Sequence, residues 1–139
     1  MSRHAAADSR FRVIADVWAA WTHYGFRRLR EFWEASAAAL EQARRVGDTE
    51  ALTYAMATLL TPGAPPELEH ERARVAVEFA TFSRASLRPL QLAINLYAQW
   101  IVFLSVGQRA NADAAGQELD DYARRVGDPF VQTYQMSVE

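Results

Sequence analysis

Residues 43–56, ARRVGDTEALTYAM, recur as residues 123–136, ARRVGDPFVQTYQM, with nine of fourteen positions identical. A match of that length within one chain indicates a duplicated unit. Its residues describe how one helix stops and the next starts. Paired arginines (Arg44, Arg45 and Arg124, Arg125) suit the negative end of a helix dipole. Gly47 and Gly127 can adopt the left-handed cap conformation. Asp48 and Asp128 then stand where an N-cap belongs, and Pro129 occupies the favoured first helical position.

The rest of the chain reads as helix around these signals. Apolar residues at Phe11, Ile14, Trp18, Trp21, Leu29, Phe32, Trp33, Leu40, Ala43 and Val46 follow a three-and-four spacing. That predicts one long amphipathic helix from Asp8 to Val46, about 39 residues and roughly 58 Å, with Gly25 as a local bend or close contact. Residues 1–9 read as a frayed terminus. A short helix is predicted over Asp48–Leu60, followed by a loop at Thr61–Pro66, TPGAPP. A third helical pattern starts near Pro66 or Glu67 and carries Val75, Phe79, Phe82, Leu90, Ile94, Tyr97, Ile101 and Leu104. Pro89 predicts a kink or break near residues 85–88. Residues 107–139 form a C-terminal helical segment, with a polar helix at 109–126 and a second short helix after Asp128. No alternating strand pattern occurs. The expected fold is all-α: a single domain over residues 1–139, an elongated antiparallel bundle of long amphipathic helices with a short connecting helix.

Residues 87–106 are apolar on most faces, with Arg84, Arg88, Gln91, Asn95 and Gln99 as a narrow polar column. Such a helix must be buried on most sides. A chain of 139 residues has little else with which to cover it, so self-association, of coiled-coil type, or an external hydrophobic surface is expected. A transmembrane span is not expected, because three amides and a proline lie in or beside the stretch. Candidate contact residues, for a hydrophobic surface or an oligomer seam, are Trp18, Trp21, Phe32, Trp33, Phe79, Phe82, Leu90, Ile94, Tyr97, Trp100, Ile101 and Leu104. How they divide between core and contact surface is left open at this stage.

Half the residues are hydrophobic and 12% aromatic, enough to build a core. The net charge is −2 with no basic run, which points away from nucleic acid. Absence of cysteine removes disulfides, thiol catalysis and Cys-ligated metals. All fifteen basic residues are arginine, a pattern read as GC-rich coding. The start lacks a signal-peptide core, so a cytoplasmic location is expected. Glu67 and His70 form one Glu-x-x-His, but di-metal bundles need a second copy and two further glutamates. Glu67, Glu69, Glu71 and Glu78 suit a helix start. Asp113, Glu118, Asp120 and Asp121 read as surface charge. No phosphate loop or nucleophile elbow is present, so no enzyme, cofactor or metal is expected.

The run Phe32–Leu60, with Val46, Asp48, Glu50 and Leu52 at its helix break, resembles the central segment of phasins, small bacterial proteins that coat polyhydroxyalkanoate granules. The second copy, Val126, Asp128, Pro129, Val131 and Gln135, resembles the family's D-P-x-x-L-x-x-Q turn. Residues Arg72–Leu90 resemble the helix that follows. The resemblance covers residues 10–90 best. It implies a non-catalytic, granule-associated protein, self-associating, with the storage polyester surface as partner. The alternative expectation is an oligomerisation or adaptor module that binds another protein through the same apolar face.

Overall fold

The computed structural model describes residues 3–136. Among them every regular element is helical: α1 (Arg3–Gly25), α2 (Leu29–Val46), α3 (Thr49–Leu59), α4 (Glu69–Ala80), α5 (Pro89–Ser105), α6 (Arg109–Val126) and α7 (Pro129–Met136). Short 3₁₀ turns occupy Pro66–Leu68 and Arg84–Ser86. The chain divides into two compact units, Met1–Leu59 and Leu60–Glu139.

In the first unit α1 packs on α2, and both contact α3. The predicted single rod from Asp8 to Val46 is instead two helices folded into a hairpin. The chain reverses at residues 26–28. The Arg28 amide donates to the His23 carbonyl, and the Arg27 amide to the Tyr24 carbonyl, both at 2.9 Å. These paired bonds are those of a Schellman stop. Arg27 takes the left-handed conformation this requires, at φ +58°. Gly25, read from the sequence as a bend, is the last helical residue before the stop. The expected frayed stretch at 1–9 is helical from Arg3 onward, and residues 1 and 2 lie outside the described residues. The core stripe of α2 is Phe32, Trp33, Ser36, Ala39, Leu40 and Ala43, all buried, at the spacing of one helical face. Val13, Val17 and Ala20 of α1 and Ala51, Ala55, Met56 and Leu59 of α3 are also buried.

In the second unit α5 is the centre, in contact with α4, α6 and α7. The long third helical pattern is broken at residues 81–88, and Pro89 begins α5 as its first residue, where its missing N–H costs nothing. Arg84 closes that break. Its Nε and Nη2 bond Glu118 of α6 at 2.7 and 3.3 Å, while its Nη1 donates to the Phe79 carbonyl at 3.0 Å. Glu118, expected as plain surface charge, is therefore a structural partner. Asp120 is likewise engaged, by Arg124 at 2.7 Å and by the Gln135 amide at 3.0 Å. Arg72 is buried in α4, and its Nη2 donates to the carbonyls of Leu60 and Thr61 at 2.9 and 2.7 Å, fastening the proline-rich loop. Burial holds its pKa below the ordinary arginine value, and Glu69 opposes that shift.

The repeat seen in residues 43–56 extends through three helices. The four inner boundaries of α1–α2–α3 recur 80 residues later in α5–α6–α7: Gly25 and Ser105, Leu29 and Arg109, Val46 and Val126, Thr49 and Pro129. The stops match bond for bond. Gln108 donates to the Phe103 carbonyl and Gly107 to the Leu104 carbonyl, as Arg28 and Arg27 do in the first unit. Gly47 and Gly127 are left-handed at φ +73° and +64°. Asp48 Oδ1 accepts from Ala51 N–H at 3.0 Å, and Asp128 Oδ1 from Phe130 N–H at 2.8 Å. Outside the 43–56 run only scattered residues recur, such as Ile14 and Ile94 or Ala35 and Ala115. The duplicated geometry is held by burial pattern and stop signals more than by identity. Asp48→Ala is expected to cost about 1 kcal/mol, measured as a lowered midpoint in thermal unfolding followed by circular dichroism.

Candidate interaction surface

The twelve candidate contact residues separate into three groups. Phe32, Trp33 and Phe79 are buried, so they build the core and are withdrawn from any contact surface. Phe32 lies against the rings of Trp21, Tyr24 and Trp33, with centroids 5.2, 5.1 and 4.7 Å away. Trp21, Phe82, Ile94, Tyr97, Trp100 and Ile101 are half-buried. Trp18, Leu90 and Leu104 are exposed, Trp18 most of all at 64%.

Helix α5 is covered on most sides, as its composition requires, but with its polar column inward. Gln91, Asn95 and Gln99 are buried. Both amide atoms of Asn95, and Nε2 of Gln99, lack a hydrogen-bond partner among the described residues. Leu90, Ile94, Tyr97, Ile101 and Leu104 are the less covered stripe, spaced four, three, four and three apart. A buried amide without partners is destabilising by about 1–3 kcal/mol. Asn95→Leu, which keeps the same branched heavy-atom outline and carries no polar atoms, is therefore expected to raise stability by about 1–2 kcal/mol, read as a higher urea midpoint at unchanged slope.

The duplicated helices carry this face differently. Gln91, Asn95, Ala98, Gln99 and Val102 are buried in α5, where α4 supplies a helix contact additional to α6 and α7. The residues 80 positions earlier in α1 are Phe11, Ala15, Trp18, Ala19 and Thr22, and all five are exposed. No helix equivalent to α4 stands in the first unit among the described residues. Phe11, at 59% exposure, and Trp18 thus lie two turns apart on an uncovered face. Apolar side chains at the α1–α2 turn continue the surface: Tyr24, Phe26 and Leu29 are exposed. Phe11 and Leu29 figured in the sequence as members of the apolar stripe of one long amphipathic helix. Phe26 was not singled out, because the turn that exposes it carries no stop signal in the sequence.

A groove of about 540 Å³ in the second unit is lined by Trp100, Leu104, Gly116 and the pairs Arg109–Asp113 and Arg124–Asp120. Its rim charges neutralise one another. Glu67 and His70 are exposed, and among the described residues no group of three or more histidine or acidic side chains is placed to hold a metal ion. No helix among the described residues is long and apolar enough to cross a membrane. No protein-family profile, curated protein or solved structure matches this chain.

Proposed function

We propose that this protein is a non-catalytic, phasin-like coat that adsorbs through the exposed face of α1 to a hydrophobic storage-polymer surface, polyhydroxyalkanoate granules in the bacterial cytoplasm. The observation that carries this reading is the pairing of Phe11 and Trp18, exposed on α1, with the burial of the matching face on α5. Adsorption requires apolar side chains that are available without unfolding the core. Trp18 and Phe11 meet that requirement, while Phe32, Trp33 and Phe79 serve the core beneath. Each square ångström of apolar surface removed from water contributes about 25 cal/mol. Arg12 and Asp16, exposed beside the stripe, would remain hydrated and keep coated particles apart. The half-covered stripe Leu90, Ile94, Tyr97, Ile101 and Leu104 has the heptad spacing of a helix seam and supports self-association on the surface.

A fluorescent fusion is expected to ring granules in a polyester-producing host and to be diffuse in a host without them. Diffuse signal in both would reject the coat. A second reading has its own support. The α5 counterpart of the α1 face is buried where α4 joins the packing, so a helix from a different protein could occupy α1 in an adaptor. That reading requires the fusion to be diffuse in both hosts and one partner to co-purify at fixed stoichiometry.

A further inference from the structure

The α1–α2 turn carries a chemistry that its duplicate lacks. Residues 24–30 read YGFRRLR, whereas residues 104–110 read LSVGQRA. In the first turn Tyr24, Phe26 and Leu29 are exposed, Phe26 at 67% and Leu29 at 48%. Arg27, Arg28 and Arg30 are exposed beside them. The Arg28 guanidinium lies 5.4 Å from the Phe26 ring centroid. No aspartate or glutamate occurs between Asp16 and Glu31, so a chain of net charge −2 presents a locally cationic tip.

Arg27 adds a second, independent sign. It is the only non-glycine residue with positive φ among those described, and at the corresponding position of the second unit stands Gly107, at φ +75°. A side chain is disfavoured in that conformation and glycine is not. The matched hydrogen bonds show that the turn itself does not need arginine. Residues held in a disfavoured conformation at an exposed tip are where function is sought. What arginine adds over glycine here is a guanidinium beside two exposed apolar side chains.

We propose that this turn is an anchor for an anionic lipid surface, with Phe26 and Leu29 entering the boundary between headgroups and acyl chains and Arg27, Arg28 and Arg30 binding lipid phosphates. The inference deepens the adsorption reading and rests on it: it names the headgroup chemistry that the turn selects. Interleaved arginine and apolar side chains fit a surface that is charged at its rim and apolar below. Guanidinium groups match phosphate oxygens in a two-point fashion. The Schellman stop holds the tip in place, so little ordering is required on contact. A site for anionic polymers alone would not call for Phe26 at 67% exposure.

The test is co-sedimentation of the full chain with phosphatidylglycerol vesicles, phosphatidylcholine vesicles and washed polyester particles, with double-stranded DNA as a competing polyanion. The native chain should prefer phosphatidylglycerol by more than tenfold, and added salt should weaken that binding. Arg27→Gly should weaken it about fivefold, and Arg27→Gln/Arg28→Gln/Arg30→Gln by on the order of 100-fold. Phe26→Ser should weaken vesicle binding with no effect on any DNA binding. Thermal melting separates these effects from folding: Arg27→Gly should melt at the native temperature or higher, because it relieves the disfavoured φ. Equal binding to both vesicle types, an Arg27→Gly variant that binds like the native chain, or one that melts lower would each overturn the anchor. So would DNA binding that matches vesicle binding and ignores Phe26→Ser. If the anchor fails while polyester particles still retain the native chain, the coat reading stands; if the particles retain nothing, both fall.

Discussion

Phe32→Ala is expected to remove about 3–5 kcal/mol of stability, the largest loss of any single replacement considered. Phe32 has no exposed surface, and three aromatic rings surround it within 5.2 Å, centroid to centroid. Truncation would remove the apolar area of the ring and leave a void that Trp21, Tyr24 and Trp33 can close only in part. The aromatic pairings would be lost as well, each worth about 0.5–1.5 kcal/mol. Urea unfolding followed by tryptophan emission reads the change directly, since two of the neighbours are tryptophans. Trp18→Ala supplies the contrast. Its side chain is 64% exposed, and substitutions at such sites usually stay within about 0.5 kcal/mol. A Phe32 variant as stable as the native chain, or a Trp18 variant as damaged as the Phe32 one, would show that core and surface have been assigned the wrong way round.

The second large effect concerns adsorption. Trp18 and Phe11 together present on the order of 200 Å² of apolar surface, given the 150–250 Å² that large aromatics can bury. At about 25 cal/mol per Å² that is roughly 5 kcal/mol, or between three and four orders of magnitude in partitioning onto a hydrophobic surface. Phe11→Ser/Trp18→Ser is therefore expected to abolish retention on apolar beads at concentrations where the native chain is fully retained. The same double variant should unfold at nearly the native urea midpoint. Retention that survives the double substitution would move the contact to another face, with the stripe from Leu90 to Leu104 the first to examine by the same approach.

Much of the fold could be read from the residues. The repeated ARRVGD runs mark two helix stops, and the structure places Gly47 and Gly127 in the left-handed conformation with Asp48 and Asp128 capping the helices that follow. Pro89 and the TPGAPP loop mark the breaks that are observed. The hairpin at residues 26–28 was not legible. Its left-handed position is held by Arg27, which carries no stop signal, and Gly25 two residues earlier drew attention to the wrong residue. The full extent of the duplication was hidden for a related reason. Burial at Phe32 and Ala112, or at Ala39 and Leu119, is shared although the side chains differ in size, so the pattern persists while identity does not.

The interaction surface was legible only in part. Periodicity places Phe11, Trp18, Phe32 and Trp33 in apolar stripes, but it does not tell which stripes have a partner helix. That depends on α4, which joins the second unit and has no equivalent in the first among the described residues. The inward direction of the α5 amide column could not be read from the sequence either. Gln91, Asn95 and Gln99 share a face with Ala98 and Val102, and small neighbours on that face permit close helix packing. Leu90 and Leu104, on the opposite side, are left exposed.

The most direct test puts a reporter on the α1 face itself. With Trp21, Trp33 and Trp100 replaced by phenylalanine, Trp18 becomes the sole tryptophan, exposed to water in the free protein. Titration with polyhydroxyalkanoate nanoparticles should shift its emission to shorter wavelength and shield it from iodide, with saturation at a defined coverage. Emission that stays at the value of a solvated indole while the protein binds, or the absence of binding altogether, would contradict adsorption through this face.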